Sequence, residues 1–312
     1  MARYDVAFLL VPKFSMIALY GALEPLRVAN RFAGANTFSW RFVSADGQPV
    51  AASNDIPVSV SGGLADIGKP DMAVISASYE PEKGVTRPLL AVVKALARKR
   101  VLLAAIDTAP FILAAAGLLD DHRATCHWES LPGFRESYPR VLAEQALYVI
   151  DRDRMTCAGG AAAIDMMLDW IGRQMGRPLA VLVADQLVHF RFVEQPTQAR
   201  LPAAVRYGTT DARLLKIITV MEEQGEDPLE ARALADLAGI SVRQMERLFA
   251  EKLGERPMGF YLKLRLEKAE RLITYSTMTM REIAVACGFS SLPLFSRSFR
   301  ARYGRPPSEL RA

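Results

Sequence analysis

The sequence predicts an α/β sandwich with a mostly parallel sheet, followed by an all-α domain built on two helix-turn-helix units. Two observations carry this reading. Over roughly the first 190 residues, short apolar runs alternate with longer helix-patterned stretches. Beyond residue 210 the strand pattern stops, and one helical pattern occurs twice, about fifty residues apart.

Residues 4–11, YDVAFLLV, are dense in apolar and β-prone types without clean alternation, as in a strand covered on both faces. Pro12–Ser15 is the loop after it, and Met16–Phe32 reads as a helix with Glu24-Pro25 inside. A mid-helix proline costs about 3 kcal/mol, so a bend or break is expected there. Further strands are expected at Phe38–Ala45, Pro57–Val60, Met72–Ser76 and Arg100–Ile106, and helices at Thr86–Lys99 and Phe111–Ala116. Leu147–Ile150 and Met155–Ala158 read as a strand pair, followed by helices at Ala161–Met175 and Leu179–Phe190. No GxGxxG follows the first strand and no GxxxxGK[ST] occurs, which argues against a dinucleotide site and a nucleotide phosphate loop.

Gln195–Thr210 holds two prolines, a glycine and several small polar residues. This composition marks a boundary, giving a first domain over 1–195, a linker over 196–210 and a second domain over 211–312. In the second domain, helices are expected at Arg213–Glu223, Leu229–Ala238, Val242–Lys252, Met258–Thr274, Met280–Ala286 and Leu292–Tyr303.

The 312 residues are 51% hydrophobic, enough for two cores. Mean hydropathy is +0.10, yet no run approaches 18 uninterrupted apolar residues, so no membrane span is expected. The opening MARYDVAFLLVPKF carries a charge within its apolar patch and reads as a strand, not a signal peptide. Cys126, Cys157 and Cys287 are too scattered for a disulfide framework and fit a reducing cytoplasm. No pair among His122, His127 and His189 has metal-ligand spacing, so neither metal nor cofactor is expected.

Residues 206–312 carry 18 basic and 14 acidic side chains, against 21 and 20 in the first 205. From Arg271 onward there are seven arginines and two glutamates. The excess of positive charge points to a polyanionic partner at that end.

The repeat pairs Leu234–Pro257 with Ile283–Pro307: Gly239 with Gly288, Ile240 with Phe289, Ser241 with Ser290, and, after one extra residue, Phe249 with Phe299 and Gly254 with Gly304. In each unit the glycine allows positive φ, the next residue plugs the core, and Ser241 or Ser290 caps the second helix. That helix presents its front to a major groove. The candidate DNA contacts are Val242, Arg243, Gln244 and Arg247 in the first unit, and Ser291, Ser296, Arg297 and Arg300 in the second. Arginine and glutamine read base edges, while arginine and serine also hold phosphates. Residues 211–312 closely resemble the paired helix-turn-helix domain of AraC/XylS transcription regulators, most closely over IAVACGFSSLPLFSRSFRARYGRPPSELR. The family's usual tyrosine is Leu294 here. The resemblance implies sequence-specific binding of promoter DNA.

In RVLLAAIDTAPFILAAAGLLD a buried strand ends at Ile106 and a helix begins within a few residues. A side chain at that elbow suits a thiolate or alkoxide in an enzyme; here it is the carboxylate of Asp107. From about Tyr4 to Phe192 the chain resembles the PfpI branch of the class I glutamine amidotransferase-like fold, a flavodoxin-like sandwich. The pieces that carry the likeness are LEPLRVANR, IDTAPFILAAAGLLD, ATCHW and the run from Thr156 to Ile171. By this likeness Asp107 stands at the nucleophile position, with His127 and Glu24 at the neighbouring histidine and helix glutamate. The domain order resembles that of GlxA-like regulators, some of which respond to arginine, glycine betaine, carnitine or related methylated amines. The resemblance therefore implies a cytoplasmic, non-catalytic sensor domain that dimerises, fused to a DNA-binding domain: a transcription activator that answers a small metabolite. Asp107, Thr108, Glu24, His127, Trp128, Phe14 and Tyr79 are the expected ligand-binding residues, with Phe134 and Tyr138 nearby. Aromatic rings beside carboxylates fit a cationic or zwitterionic amine. The alternatives are a hydrolase-like enzyme domain tethered to DNA, and a ligand-independent DNA binder whose first domain only dimerises.

Overall fold

The computed structural model describes residues 4–33, 37–79, 84–189, 203–276 and 278–310. The chain divides into two compact units, Met1–Ala199 and Arg200–Ala312.

The first unit runs β1 (Tyr4–Leu10), α1 (Met16–Ala33), β2 (Phe38–Ser44), β3 (Val50–Ala51), β4 (Pro57–Val58), β5 (Gly62–Gly63), β6 (Met72–Ala77), α2 (Arg87–Arg98), β7 (Leu102–Asp107), α3 (Pro110–Ala115), β8 (Arg123–Ala124), α4 (Leu131–Ser137), β9 (Leu142–Ala143), β10 (Tyr148–Asp151), β11 (Arg154–Cys157), α5 (Ala162–Met175) and α6 (Arg177–Gln186). Its main sheet has the order β10-β11-β7-β6-β1-β2-β5. All neighbours are parallel except β10 and β11. Side chains alternate across it: Val6, Phe8 and Leu10 join one core with residues of α1, α5 and α6, while Ala7, Leu9 and Val11 join the other with residues of α2, α3 and α4. Cover on both faces is why these strands are apolar throughout.

Several boundaries differ from expectation. The strand expected at Pro57–Val60 is shorter and pairs with Val50–Ala51 in a separate ribbon, where Pro57 has no long ladder to interrupt. The main sheet instead ends on Gly62–Gly63. Helix α1 passes unbroken through Pro25, which is buried within it. Packing of α1 beside α5 and α6 outweighs the lost hydrogen bond. Helix α6 begins at Arg177 because Pro178 fits the first turn, where an N–H has no partner anyway. It also stops short: Val188 sits at φ 54°, the His189 N–H reaches back to the Ala184 carbonyl, and the His189 ring meets the Asp165 carboxylate at 2.7 Å. Residues 190–202, with the first seven residues of the expected linker, lie outside the described residues.

The second unit holds α7 (Ala203–Arg206), α8 (Ala212–Glu223), α9 (Ala231–Leu237), α10 (Val242–Leu253), α11 (Pro257–Tyr275), α12 (Met280–Ala286) and α13 (Leu292–Tyr303). Helix α7 falls where a linker was expected. Arg206 pairs with Glu222 at 2.6 Å and the Tyr207 ring packs edge-on to Phe260, which tie this turn to the helices after it. Two separate cores follow. Leu214, Ile217, Leu234, Met245 and Phe249 form one, and Ile283, Phe289, Phe295 and Phe299 form the other. Helix α11 serves both, giving Phe260 and Tyr261 to the first and Leu266, Ala269 and Ile273 to the second. Among the described residues no helix is long and apolar enough to cross a membrane.

Because the two cores share no residue, Ile217→Val and Ile283→Val should each cost about 1 kcal/mol. Urea denaturation of the double variant should give their sum to within about 0.5 kcal/mol. A larger coupling would mean that the cores are not independent.

Candidate functional site

Strand β7 ends on Asp107, whose backbone stands at φ 66°, a region that residues other than glycine seldom occupy. The pairing of Ala77 with Asp107 sets it beside the end of β6. There the Ser78 hydroxyl donates to Asp107 Oδ2 at 3.0 Å. The His127 N–H donates to the Asp107 carbonyl at 3.0 Å. The turn before α5 lies directly on the carboxylate: a Cβ at Gly159 would stand 2.8 Å from both Cβ and Cγ of Asp107. Helix α1 closes the same corner, since a Cβ at Gly21 would meet the Gly160 carbonyl oxygen at 3.4 Å. This is the carboxyl end of the parallel strands, where open α/β sheets bind ligands.

Asp107 is 6% exposed. Burial pushes its pKa up to about 6, while the nearby His127 and the Ser78 hydroxyl pull it down and Glu129 raises it further. Among the described residues no lysine or arginine pairs with it. A buried carboxylate without a lysine or arginine partner is costly. Thiol chemistry is unavailable here. Cys126 and Cys157 are fully buried. Burial pushes Cys157 up to about 12, against the pull of the Gly159 and Asp107 N–H groups, and burial raises Cys126 as well.

The other expected ligand residues divide. His127 and Trp128 lie together at the corner, half-buried, with ring centroids 5.8 Å apart. Tyr79 follows Ser78 and is 60% exposed. Thr108 is buried and donates to the Ser78 carbonyl, so its hydroxyl is engaged within the elbow itself. Glu24 accepts from Arg27 at 2.7 Å, which ties its carboxylate to its own helix. Phe14 is fully buried in a core and is not a ligand ring. Phe134 and Tyr138 pack around Phe111, likewise as core. Sequence reasoning missed Ser78, and with it the buried hydroxyls of Ser76 and Ser130, which have no hydrogen-bond partner. The signal was present in MAVISAS, where serines close an otherwise apolar strand.

In the second unit the repeat reappears in the hydrogen bonds. The Ile240 N–H reaches the Ala235 carbonyl, and the Phe289 N–H reaches that of Ala284. Gly239 and Gly288 stand at φ 67° and 69°. Ser241 caps α10, accepting from the Gln244 N–H, while Gln244 Oε1 accepts from the Ser241 N–H at 2.8 Å. That capping box leaves Gln244 with only its amide donors, too few for bidentate reading of adenine. The cap of α13 is Ser291, which accepts from the Leu294 N–H, and not the expected Ser290; the extra turn residue moves the helix start by one. Val242 is half-buried against the first core and Ser296 is half-buried. Arg243, Arg247, Arg297 and Arg300 are exposed. Arg243, Gln244 and Arg247 line a groove of about 770 Å³ together with Arg256 at the start of α11, a cation that the sequence reading passed over.

A PfpI-like sandwich with a carboxylate at its elbow, joined to paired helix-turn-helix units, defines a class of DNA-binding regulator. Residues 5–173 match the DJ-1/PfpI family, and residues 234–312 match a helix-turn-helix domain. The chain is 44% identical over 308 residues to the HTH-type transcriptional regulator CdhR of Pseudomonas aeruginosa, spanning 99% of this chain and 91% of that one. It is 36% identical over 307 residues to the HTH-type transcriptional regulator GbdR of the same species, spanning 98% and 84%. A crystal structure of an AraC family transcriptional regulator from Pseudomonas putida superposes with a TM-score of 0.55 at 26% identity, over 59% of this chain and 99% of that one. The chain belongs to the GlxA-like transcription regulators, in which a DJ-1/PfpI-type domain is fused to an AraC/XylS-type helix-turn-helix domain. It is a sequence-specific DNA-binding regulator.

Asp107 titrates higher in the folded chain, at about 6, than its ordinary value of 3.8. Between these values the folded state holds the extra proton, so its stability falls as pH rises from about 4 through 6. Compared with Asp107→Asn, which tolerates the same backbone region, the wild-type chain should lose ground over that window in urea midpoints. Parallel profiles would refute it. All three cysteines are buried. A thiol reagent should therefore leave the native chain unlabelled and label all three once it is unfolded.

Proposed function

We propose that the first unit binds a small cationic or zwitterionic metabolite, such as an amino acid, a betaine or carnitine, and that binding makes the second unit activate transcription. The observation that carries this is the buried Asp107 carboxylate, bonded by the Ser78 hydroxyl and close to His127, with no lysine or arginine paired to it among the described residues. A quaternary or protonated amine supplies the missing charge, and the rings of Trp128 and Tyr79 accommodate its alkyl groups. In the second unit, α10 and α13 enter successive major grooves. Arg243, Arg247, Arg297 and Arg300 are the leading contacts, joined by Arg256 on the rim. The regulator works as a homodimer on repeated half-sites.

A thermal-shift screen against arginine, glycine betaine, carnitine and N-methylated glycines tests the effector. A ligand at a hundred times its Kd stabilises by about 2.7 kcal/mol, and Asp107→Ala should abolish that gain. A hit that survives Asp107→Ala would move the site away from the elbow. On DNA, Arg243→Ala or Arg297→Ala should cost about 1–3 kcal/mol and relax base preference where the guanidinium reads a base. Where it holds a phosphate, the loss should be uniform across sequences with a shallower salt dependence. Unchanged binding by both variants would refute the assignment of α10 and α13.

A further inference from the structure

Helix α11 joins the two cores of the second unit, and one further contact bears on how α13 sits relative to α10. The turn before α13 sits on the loop between α8 and α9. A Cβ at Gly288 would stand 2.7 Å from the Glu226 carbonyl oxygen, 2.7 Å from Cδ of Pro228 and 2.9 Å from the Gly225 carbonyl oxygen. No side chain fits there. Gly239, the matching glycine of the first unit, has the same left-handed backbone, but its Cβ would meet nothing within 4 Å. The backbone requirement is thus shared by both turns, and the close seat belongs to the second alone.

Helix α11 holds both sides of that seat along one face. The Tyr261 hydroxyl donates to the Gln224 carbonyl at the start of the loop. Arg265 donates to the carbonyls of Cys287 and Gly288, and its guanidinium lies 4.5 Å from the Phe289 ring centroid. Lys268 donates to the Ala286 carbonyl at 2.7 Å, and its Cδ would lie 3.5 Å from a Cβ at Gly225. These three side chains fall four and three residues apart, one stripe of a helix. Each directs its polar end to backbone of the loop, the turn or the end of α12.

We propose that the loop Gln224–Pro228 is a seat for the Gly288 turn that sets the separation of the two reading helices, with Gly288, Pro228 and Arg265 as positioning residues for operator spacing. The proposal rests on α10 and α13 being the helices that read DNA. Opening the seat leaves each reading helix on its own core, so recognition of each half-motif persists while their separation loosens.

The experiment is selection of bound sequences from a duplex library randomised over several helical turns, using the full chain. The wild-type protein should return two half-motifs at one separation. Gly288→Ala should return the same half-motifs over a range of separations, and should bind the wild-type consensus about tenfold more weakly. Gly239→Ala carries the same backbone strain without the seat and should keep the single separation. Pro228→Ala, which removes one wall and leaves the turn glycine alone, should broaden the separations as Gly288→Ala does, and it decides the matter if Gly288→Ala does not fold. A single separation retained by every folded variant of Gly288 and Pro228 overturns the proposal, as does equal broadening by Gly239→Ala. A wild-type selection that returns no paired half-motifs overturns the two-helix reading itself, and the inference with it.

Discussion

A carboxylate held out of water at the end of a parallel strand is the constraint on which the first unit turns. Its backbone stands in a region that costs a non-glycine residue on the order of 1–3 kcal/mol, and the surroundings over-determine it. Ser78, the His127 N–H and the Gly159 turn all close on Asp107. In a thiol enzyme such a corner would lower a nucleophile's pKa. Here burial raises an acid instead, and the two cysteines nearest in sequence to the corner are sealed as thiols. The same architecture is therefore retained with a buried carboxylate where a thiol enzyme has its nucleophile.

The second unit is held together differently. Its helices are short, and a helix of seven residues such as α9 or α12 is not stable alone. Each depends on its apolar face meeting a partner, and α11 supplies that partner twice. Polar side chains on α11 also complete the hydrogen bonding of carbonyls left over at the end of α12. Helix termination and the joining of the two helix-turn-helix units are thus one set of hydrogen bonds.

Much of this was legible in the residues, and the exceptions have physical causes. The strand order along the chain, the elbow at Asp107 and both glycine turns follow from local pattern, because each depends on a backbone state or an apolar run. The boundaries of α12 and α13 agree with expectation to the residue. The cap of α13 was misplaced by one, since two adjacent serines are equivalent in sequence and only the turn's extra residue selects Ser291. Glu24 was expected at the ligand site from the PfpI likeness and Phe14 as a ring in the loop after the first strand, but Phe14 is fully buried and the Glu24 carboxylate is paired with Arg27. Pro25 was expected to interrupt a helix that tertiary packing keeps whole. The seat at Gly288 was invisible for a simpler reason. Alignment of the repeat shows which residues recur, and says nothing of a loop about sixty residues earlier.

The paired cores also bear on how such a regulator can change over generations. Substitutions of the core side chains Leu214, Ile217, Leu234, Met245 and Phe249 alter one hydrophobic cluster, and the cluster of Ile283, Phe289, Phe295 and Phe299 shares none of them. Sequence drift in one reading helix, together with the packing beneath it, need not be matched by drift in the other. On the proposed reading of DNA by α10 and α13, a lineage can exchange one half of its target site while the other half keeps it anchored to the promoter, passing through intermediates that still bind.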